Sequence, residues 1–145
     1  NYETLSDEIS KLGAKKILEA LEQIQNKKAK FIPQLEAGVS YASKIEKKEA
    51  KINWSEKAEK VIGKIKALHP NPGCWLELNG ARIKIIKAIE TQDQGKPGEI
   101  INQNFTVACS SNSIKILELK KEGKQKMKVS EFLKGNSLKL GLILN

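Results

Sequence analysis

Cysteine and histidine are the residue types best suited to nucleophilic catalysis or metal binding, and this sequence has two cysteines and one histidine. Cys74 and Cys109 lie far apart with no CxxC or Cys/His spacing, so neither a disulfide framework nor a structural zinc site is indicated. We interpret both as small buried hydrophobic residues. His69 has no Ser or Cys nucleophile and no ligand partner near it in the sequence, so we expect a packing or capping role.

Positive charge is the more informative chemical feature of the chain. Its net charge is +9, and residues 1–50 hold nine lysines against eight acids, whereas residues 51–145 hold sixteen lysines and Arg82 against nine acids. The two parts therefore carry +1 and +8. Such a surface suits a polyanion, because each phosphate neutralised by a cation releases condensed counterions. The alternative is a general lysine coating of the surface, since the chain has 25 lysines and one arginine.

The composition indicates a globular protein. Hydrophobic residues make up 39% and charged residues 30% of the 145 residues, which suits one ordinary domain or a smaller domain with an appended segment. No apolar run approaches the roughly 20 residues of a bilayer span, and the chain does not open with a signal-peptide pattern. A cytoplasmic location without membrane attachment is the expectation.

The first predicted element is a helix from Thr4 to Gln25, with Thr4 and Asp7 as an N-terminal capping pair. Its apolar residues change sides near Gly13, and a helix that is apolar on two faces needs burial between layers. The first 50 residues offer no such layers. Because the chain also starts at Asn1 without methionine, we expect that a larger upstream domain has been removed, with signal or transit processing as the alternative.

A linker and a second helix are predicted next. From Asn26 to Lys51 the apolar periodicity fades, which is typical of a linker that lies across a surface. Ser55 is a good N-cap for a helix whose apolar stripe runs from Ala58 to Leu68, and the Pro and Gly residues at 70–73 end it.

The remaining chain favours β-strands. Asn79-Gly80 is a strong hairpin signal, and Ile86 interrupts the alternation of the returning strand, which indicates a bulge. Strands are expected at 74–78, 82–90, 99–101, 105–110, 113–120 and 138–144, with a short helical turn at 130–134. The predicted fold class is therefore α+β, mainly β, with a small OB-like β-barrel that follows a linker and an N-terminal helix.

Several motifs, in the same order along the chain, resemble the C-terminal portion of the methionyl-tRNA formyltransferase family. Ser40-Tyr41-Ala42-Ser43-Lys44-Ile45 and Ala50-Lys51-Ile52-Asn53-Trp54-Ser55 resemble the theme TYAxKIxxxEAxIDWS. Ile65-Lys66-Ala67-Leu68 with Pro70-Asn71-Pro72-Gly73 resembles IRAFNPWPG, and Leu78-Asn79-Gly80, Ile83-Lys84 and Lys87-Ala88 resemble the hairpin and LKIWKA that follow. Gly123-Lys124, Met127, Phe132-Leu133 and Gly135 resemble GKxxMxxxxFLxG. Each piece alone is weak, but their order over essentially the whole chain is specific. Asn53, His69 and Asn71 depart from the usual Asp, Asn and Trp.

The resemblance implies a two-domain enzyme that transfers a formyl group from 10-formyltetrahydrofolate to the methionine amino group of initiator tRNA. Its doubly wound N-terminal domain holds an Asn/His/Asp catalytic set and a Ser-Leu-Leu-Pro loop, and no HxSLLP sequence occurs here. Residues 1–30 would then be the last helix of the absent catalytic domain, residues 31–51 a linker, and residues 52–145 an OB-like tRNA-binding domain. We expect the chain alone to lack catalytic residues, bound cofactor, metal and activity, and to be monomeric. Its implied partners are initiator methionyl-tRNA and the missing catalytic domain, where 10-formyltetrahydrofolate would be the co-substrate.

The resemblance also implies which cations contact the tRNA. The linker residues Lys44, Lys47, Lys48 and Lys51 come first, followed by Arg82, Lys84 and Lys87 on the hairpin. For each single lysine a solvated surface position is the competing interpretation, and the run Lys120, Lys121, Lys124, Lys126 and Lys128 is interpreted as a solvated loop. Two other functions stay open: the C-terminal domain of a sugar-nucleotide formyltransferase, and a free-standing OB-like RNA-binding protein.

Overall fold

The computed structural model describes residues 1–145, and its contacts divide them into two compact units. One unit comprises residues 3–45 and the other comprises residues 46–145 together with residues 1 and 2. The first unit contains most of helix α1 (Tyr2–Gln25), which confirms the predicted N-terminal helix. None of its residues is buried, and the apolar side chains on both of its faces are more than half exposed. Residues 28–46 contain no helix or strand.

The second unit begins with a 3₁₀ helix at Lys47–Ala50, inside the segment predicted to be a linker. Glu46 and Glu49 form a capping box, in which the Glu46 backbone N–H donates to Oε1 of Glu49 at 2.7 Å. Ala50 is buried. The backbone N–H of Ile52 donates to the carbonyl of Trp75 at 2.9 Å, so this segment runs beside the first strand.

Helix α2 (Ala58–Leu68) carries the predicted apolar stripe, and its Ala58, Val61, Ile65 and Leu68 are buried. Ser55 was wrong as its N-cap, because Lys57 takes that position and the helix begins later than predicted. The carbonyl of Glu56 accepts from Ser110 N–H and the Ala58 N–H donates to Ser111, both at 3.1 Å. These bonds to a distant turn lie on either side of Lys57, whose backbone is extended, and local sequence does not contain this constraint.

The helix is preceded by a turn that Asn53 stabilises. Oδ1 of Asn53 accepts a hydrogen bond from the Ser55 backbone N–H at 3.1 Å. This contact needs an oxygen acceptor and no charge, so asparagine serves in place of the aspartate usual in the resemblance. The neighbouring Trp54 is buried in the core.

Six antiparallel strands form one sheet in the order β1-β2-β5-β4-β3, with β6 paired to β5. Their bounds are β1 Trp75–Leu78, β2 Ala81–Thr91, β3 Ile100–Asn102, β4 Thr106–Ala108, β5 Ser113–Lys121 and β6 Met127–Lys128. The sheet curls into a half-barrel, and its end strands β1 and β3 are not paired with each other. The mainly β fold class is thereby confirmed.

Two local predictions about the sheet are confirmed. Asn79 and Gly80 both have positive φ, 52° and 74°, as the two-residue turn between β1 and β2 requires. The register of β2 against β5 shifts between Ile85 and Lys87 and again between Lys87 and Ala88, so a bulge lies at Ile86.

The expected last strand at 138–144 was wrong. Gly141 has a φ of 77° and Leu142 N–H donates back to the Lys139 carbonyl at 3.2 Å, so the segment turns where a strand would continue. It still pairs locally with the sheet, because Ile143 forms an isolated bridge with Glu99. The helical turn predicted at 130–134 is helix α3 (Val129–Lys134).

The core lies between α2, α3 and the inner face of the sheet. Phe105 and Phe132 stack at its centre with ring centroids 6.1 Å apart. Cys74 and Cys109 are buried free thiols, as interpreted from the sequence. Burial raises the pKa of each thiol from 9.0 to about 11.

Candidate nucleic-acid interface

Positive charge gathers in a cleft of about 420 Å³ beside β1, β2 and the end of β5. Five cations line it: Lys47, Arg82, Lys84, Lys120 and Lys121. They surround Trp75 and the turn at 71–73, and we call this site the basic cleft. One carboxylate, that of Glu122, also lines it. Five cations against one carboxylate make the cleft strongly anion-attracting.

The sheet explains why two of these cations meet beside Trp75. Lys84 pairs with Trp75 of β1 on one side and with Lys120 of β5 on the other. Directly paired residues point to the same face of an antiparallel sheet, so all three side chains share one face. Ile83 and Ile85 are buried on the other face, as the alternation predicted. The same alternation therefore builds the core and presents the cations.

Trp75 is the aromatic centre of the basic cleft, and it is partly buried. The guanidinium carbon of Arg82 lies 4.0 Å from its ring centroid, and Nζ of Lys51 lies 5.7 Å from it. Both distances are within the range of cation–π attraction. The ring thus holds one cation of the cleft and one at its border.

The side chain of Lys84 lies close to the turn at 71–73. A methyl group built on Gly73 would lie 3.3 Å from Cδ of Lys84 and 3.2 Å from the Pro70 carbonyl oxygen. The absence of a side chain at Gly73 therefore lets the methylene chain of Lys84 lie close to the turn. The turn also contains two cis peptide bonds, His69-Pro70 and Asn71-Pro72, and His69 occupies the C-cap position of α2.

The cleft cations have no carboxylate partners. Ion pairs within 4.0 Å involve Lys11, Lys16 and Lys48, each with a neighbouring glutamate, and no residue of the basic cleft. Glu122 lines the cleft and Glu77 lies opposite Arg82 in the β1–β2 register, yet neither forms an ion pair. The charge of the cleft is therefore available to an outside anion.

The structure brings together some of the sequence-predicted cations and separates others. Lys47, Arg82 and Lys84 line the basic cleft, and Lys51 borders it through Trp75. Lys48 is exposed and paired with Glu46 at 2.7 Å. Lys44 is exposed and belongs to the other compact unit.

Lys87 lies outside the basic cleft. The bulge at Ile86 shifts it, and it stands opposite Glu118 in the register. Two neighbouring surface hollows are lined by both residues, one of them also by Lys115 and Lys128.

Sequence reasoning missed Trp75, Lys120 and Lys121 as members of the site. The interpretation of residues 120 and 121 as a solvated loop was wrong, because both belong to β5 and line the cleft. The strand predicted at 113–120 already included Lys120, and β5 continues one residue further, to Lys121. Their pairing with β2 could not be found, because the partner of a strand is set by tertiary contacts between distant segments.

No group of three or more His, Cys, Asp or Glu residues is arranged to hold a metal ion. None of the helices combines the length and apolar character that a membrane-spanning helix needs. The five cations of the basic cleft support binding of an external anion.

Comparison with known proteins identifies the family to which the chain is similar. Residues 44–137 match the family described as formyl transferase, C-terminal domain. The chain is 40% identical over 141 residues to a methionyl-tRNA formyltransferase of Bradyrhizobium diazoefficiens, which covers 94% of this chain and 45% of that protein. A methionyl-tRNA formyltransferase of Pelagibacter ubique is 38% identical over 139 residues, covering 95% of this chain and 45% of that protein. The chain thus spans about half the length of the curated relatives it matches.

A similar fold occurs in a solved structure, that of HypX from Aquifex aeolicus in complex with tetrahydrofolic acid. The two share a TM-score of 0.61 and 22% sequence identity, over 81% of this chain and 22% of that chain. This likeness supports the fold alone.

Proposed function

Because this chain belongs to the formyl transferase C-terminal domain family, we propose that it is the tRNA-binding part of a methionyl-tRNA formyltransferase. The whole protein would transfer a formyl group from 10-formyltetrahydrofolate to the amino group of methionine on initiator tRNA, in the cytoplasm. The basic cleft carries this proposal. Its five cations and one carboxylate offer a site for the phosphates of a folded RNA.

The cleft would act by positioning the tRNA. Contacts to phosphates fix the register and orientation of a nucleic acid without reading its sequence. Lysines suit this task as flexible point charges, while the planar Arg82 guanidinium can bind one phosphate through two N–H groups. Held in this way, the acceptor arm would extend its 3′ end toward the site of formyl transfer.

The division of labour within the whole protein is part of the proposal. Residues 1–30 would belong to the last helix of the catalytic domain, and residues 31–51 would connect that domain to residues 52–145, which would bind the tRNA. Formyl transfer needs a general base and donors that stabilise an oxyanion. We assign these groups, and the binding of the folate, to the half of the relatives' length that this chain does not span.

The proposal is tested by titrating fluorescent initiator methionyl-tRNA with the chain. A cleft variant, Arg82→Ala/Lys84→Ala/Lys120→Ala, is compared with a control variant that loses the same charge outside the cleft, Lys96→Ala/Lys134→Ala/Lys139→Ala. Removal of three phosphate contacts should weaken binding by roughly a hundredfold at about 0.1 M salt. The control variant should bind within about threefold of the unaltered chain, because its lysines are exposed and lie outside the cleft.

Equal weakening in both variants would contradict a defined site. A sugar nucleotide that displaces the tRNA at micromolar concentration would instead support the C-terminal domain of a sugar-nucleotide formyltransferase, since such a domain serves a small substrate. Full retention of tRNA binding by the cleft variant would remove the proposal.

A further inference from the structure

Arg82 has two neighbours that could hold its side chain, and the structure shows it on only one of them. In the β1–β2 register Arg82 stands directly opposite Glu77, where a cross-strand ion pair is an ordinary contact. No such pair is formed within 4.0 Å. The guanidinium carbon lies instead 4.0 Å from the ring centroid of Trp75.

The choice of neighbour determines what Arg82 can still bind. An ion pair with Glu77 would neutralise the charge and occupy N–H donors. An arginine that stacks on an aromatic ring does so through the face of its guanidinium, which leaves the donors in its plane free. The Arg82 side chain makes no hydrogen bond to a protein acceptor, and it lies at the wall of the basic cleft.

We propose that Trp75 is a positioning residue that holds Arg82 at the basic cleft with its charge intact and its N–H donors free for bidentate binding of an RNA phosphate. The proposal rests on the proposed tRNA-binding function. Holding the side chain before binding reduces the conformational entropy lost when the phosphate is bound. Lys51, 5.7 Å from the same ring, does not line the cleft, so the proposal concerns Arg82 alone.

The contact itself can be observed without any RNA. Arg82 is the single arginine of the chain, so its side-chain Nε–H gives one unambiguous arginine signal in a ¹H–¹⁵N spectrum. In the unaltered chain the ring current of Trp75 should move the Arg82 side-chain signals upfield. The shift should persist in Trp75→Phe and disappear in Trp75→Leu.

The consequence for binding is measured by titrating initiator tRNA. Trp75→Leu keeps every charge but should weaken binding by about three- to tenfold, whereas Trp75→Phe, which keeps a ring, should bind within about twofold of the unaltered chain. Arg82→Lys keeps the charge but loses the planar donor pair, and it should weaken binding by a similar factor. The double variant Trp75→Leu/Arg82→Ala should bind no more weakly than Arg82→Ala alone.

Each outcome separates the positioning role from the alternatives. Additive losses in the double variant would show that Trp75 acts independently of Arg82, as a structural residue would. Arg82→Lys binding like the unaltered chain also overturns the proposal, and this variant does not disturb the core. Absence of the upfield shift in a chain that binds tRNA overturns the positioning role alone. Absence of tRNA binding in a chain that shows the shift overturns the proposed function and the role built on it.

Discussion

Lys84 and Lys87 are three residues apart in β2, but they face different surroundings. Lys84 lies against Gly73 in the basic cleft, whereas Lys87 follows the bulge and stands opposite Glu118. The family resemblance implies tRNA contacts for both residues, and the structure distinguishes them. The bulge at Ile86 was predicted, but its effect on the direction of Lys87 depends on the register with β5.

We therefore expect Lys84→Ala to weaken initiator tRNA binding by about five- to tenfold at low salt, because it removes one of the proposed phosphate contacts. Lys87→Ala serves as the matched control from the same strand and should change the Kd by less than about twofold. Titration of both variants at one salt concentration measures the difference. A larger effect for Lys87 would place the RNA on the hollows around that residue instead.

The two cysteines give a prediction about pH. Burial raises the pKa of Cys74 and of Cys109 from 9.0 to about 11, so the folded state favours the protonated thiols. The stabilisation from protonated thiols is fully present below pH 9 and is lost as the pH rises from 9 to about 11. The free energy of unfolding should accordingly fall over this interval.

Alkylation by iodoacetamide checks the same burial independently. At pH 8 the folded chain should react at least about a hundredfold more slowly than the chain in concentrated urea, because the raised pKa alone lowers the thiolate fraction by about that factor. Mass spectrometry of samples quenched over time measures both rates. Equal rates would mean that neither thiol is buried.

At the scale of elements, close approach of backbone segments determines the conformation of the C-terminal residues. Leu144 N–H donates to the Gly98 carbonyl and Gly141 N–H to the Ile100 carbonyl, at 2.8 and 2.9 Å. The segment at 138–144 thus pairs beside β3 without forming a regular strand. The alternating apolar residues in this segment predict a strand, but the turn at Gly141 interrupts it.

The variant Gly98→Ala tests this contact. A methyl group on Gly98 would lie 2.5 Å from the Leu144 carbonyl oxygen, so the last residues would have to move. Gly141→Ala is the matched control, since Gly141 has a similar φ, 77° against 86°, but open space around it. The positive φ should cost each variant about 1–2 kcal/mol, and Gly98→Ala should lose a further 1–3 kcal/mol or so from the steric contact. Urea denaturation measures both, and equal losses would contradict the close packing of the C-terminal segment.

Element positions were largely predictable where local patterns determine them. The alternation around Ile83 and the Asn79-Gly80 turn gave β1, β2 and the hairpin, and the apolar stripe gave α2. The start of α2 was predicted too early because bonds to Ser110 and Ser111 fix it. The small strand β6 and the 3₁₀ helix at 47–50 were missed, since a few residues with little periodicity carry no local signal.

At the scale of the whole molecule, the charge asymmetry predicts binding of a polyanion, and the order of the motifs predicts the formyl transferase family. Family membership is now shown by the match of residues 44–137. The basic cleft was only half predictable. The resemblance implied residues 47, 82 and 84. Their position in one cleft with residues 75, 120 and 121 depends on the pairing of the strands.

The proposed division of labour gives a prediction for activity. Incubated with initiator methionyl-tRNA and 10-formyltetrahydrofolate, this chain alone should bind the tRNA without formylating it. Acid–urea gel analysis of the tRNA separates formylated from unformylated product. Detectable turnover would contradict the assignment of catalysis to the portion of the relatives that this chain does not span.

The dependence of tRNA binding on salt tests the central claim most directly, because it counts the phosphates that the protein neutralises. Five cleft cations predict a slope of log K against log salt of about −3.5 to −4.5, at about 0.7 to 0.9 per contact. The variant Arg82→Ala/Lys84→Ala/Lys120→Ala should reduce the magnitude of the slope by about two to three, while Lys96→Ala/Lys134→Ala/Lys139→Ala should leave it nearly unchanged. A slope near zero, or one that falls equally in both variants, would contradict binding of tRNA in the basic cleft.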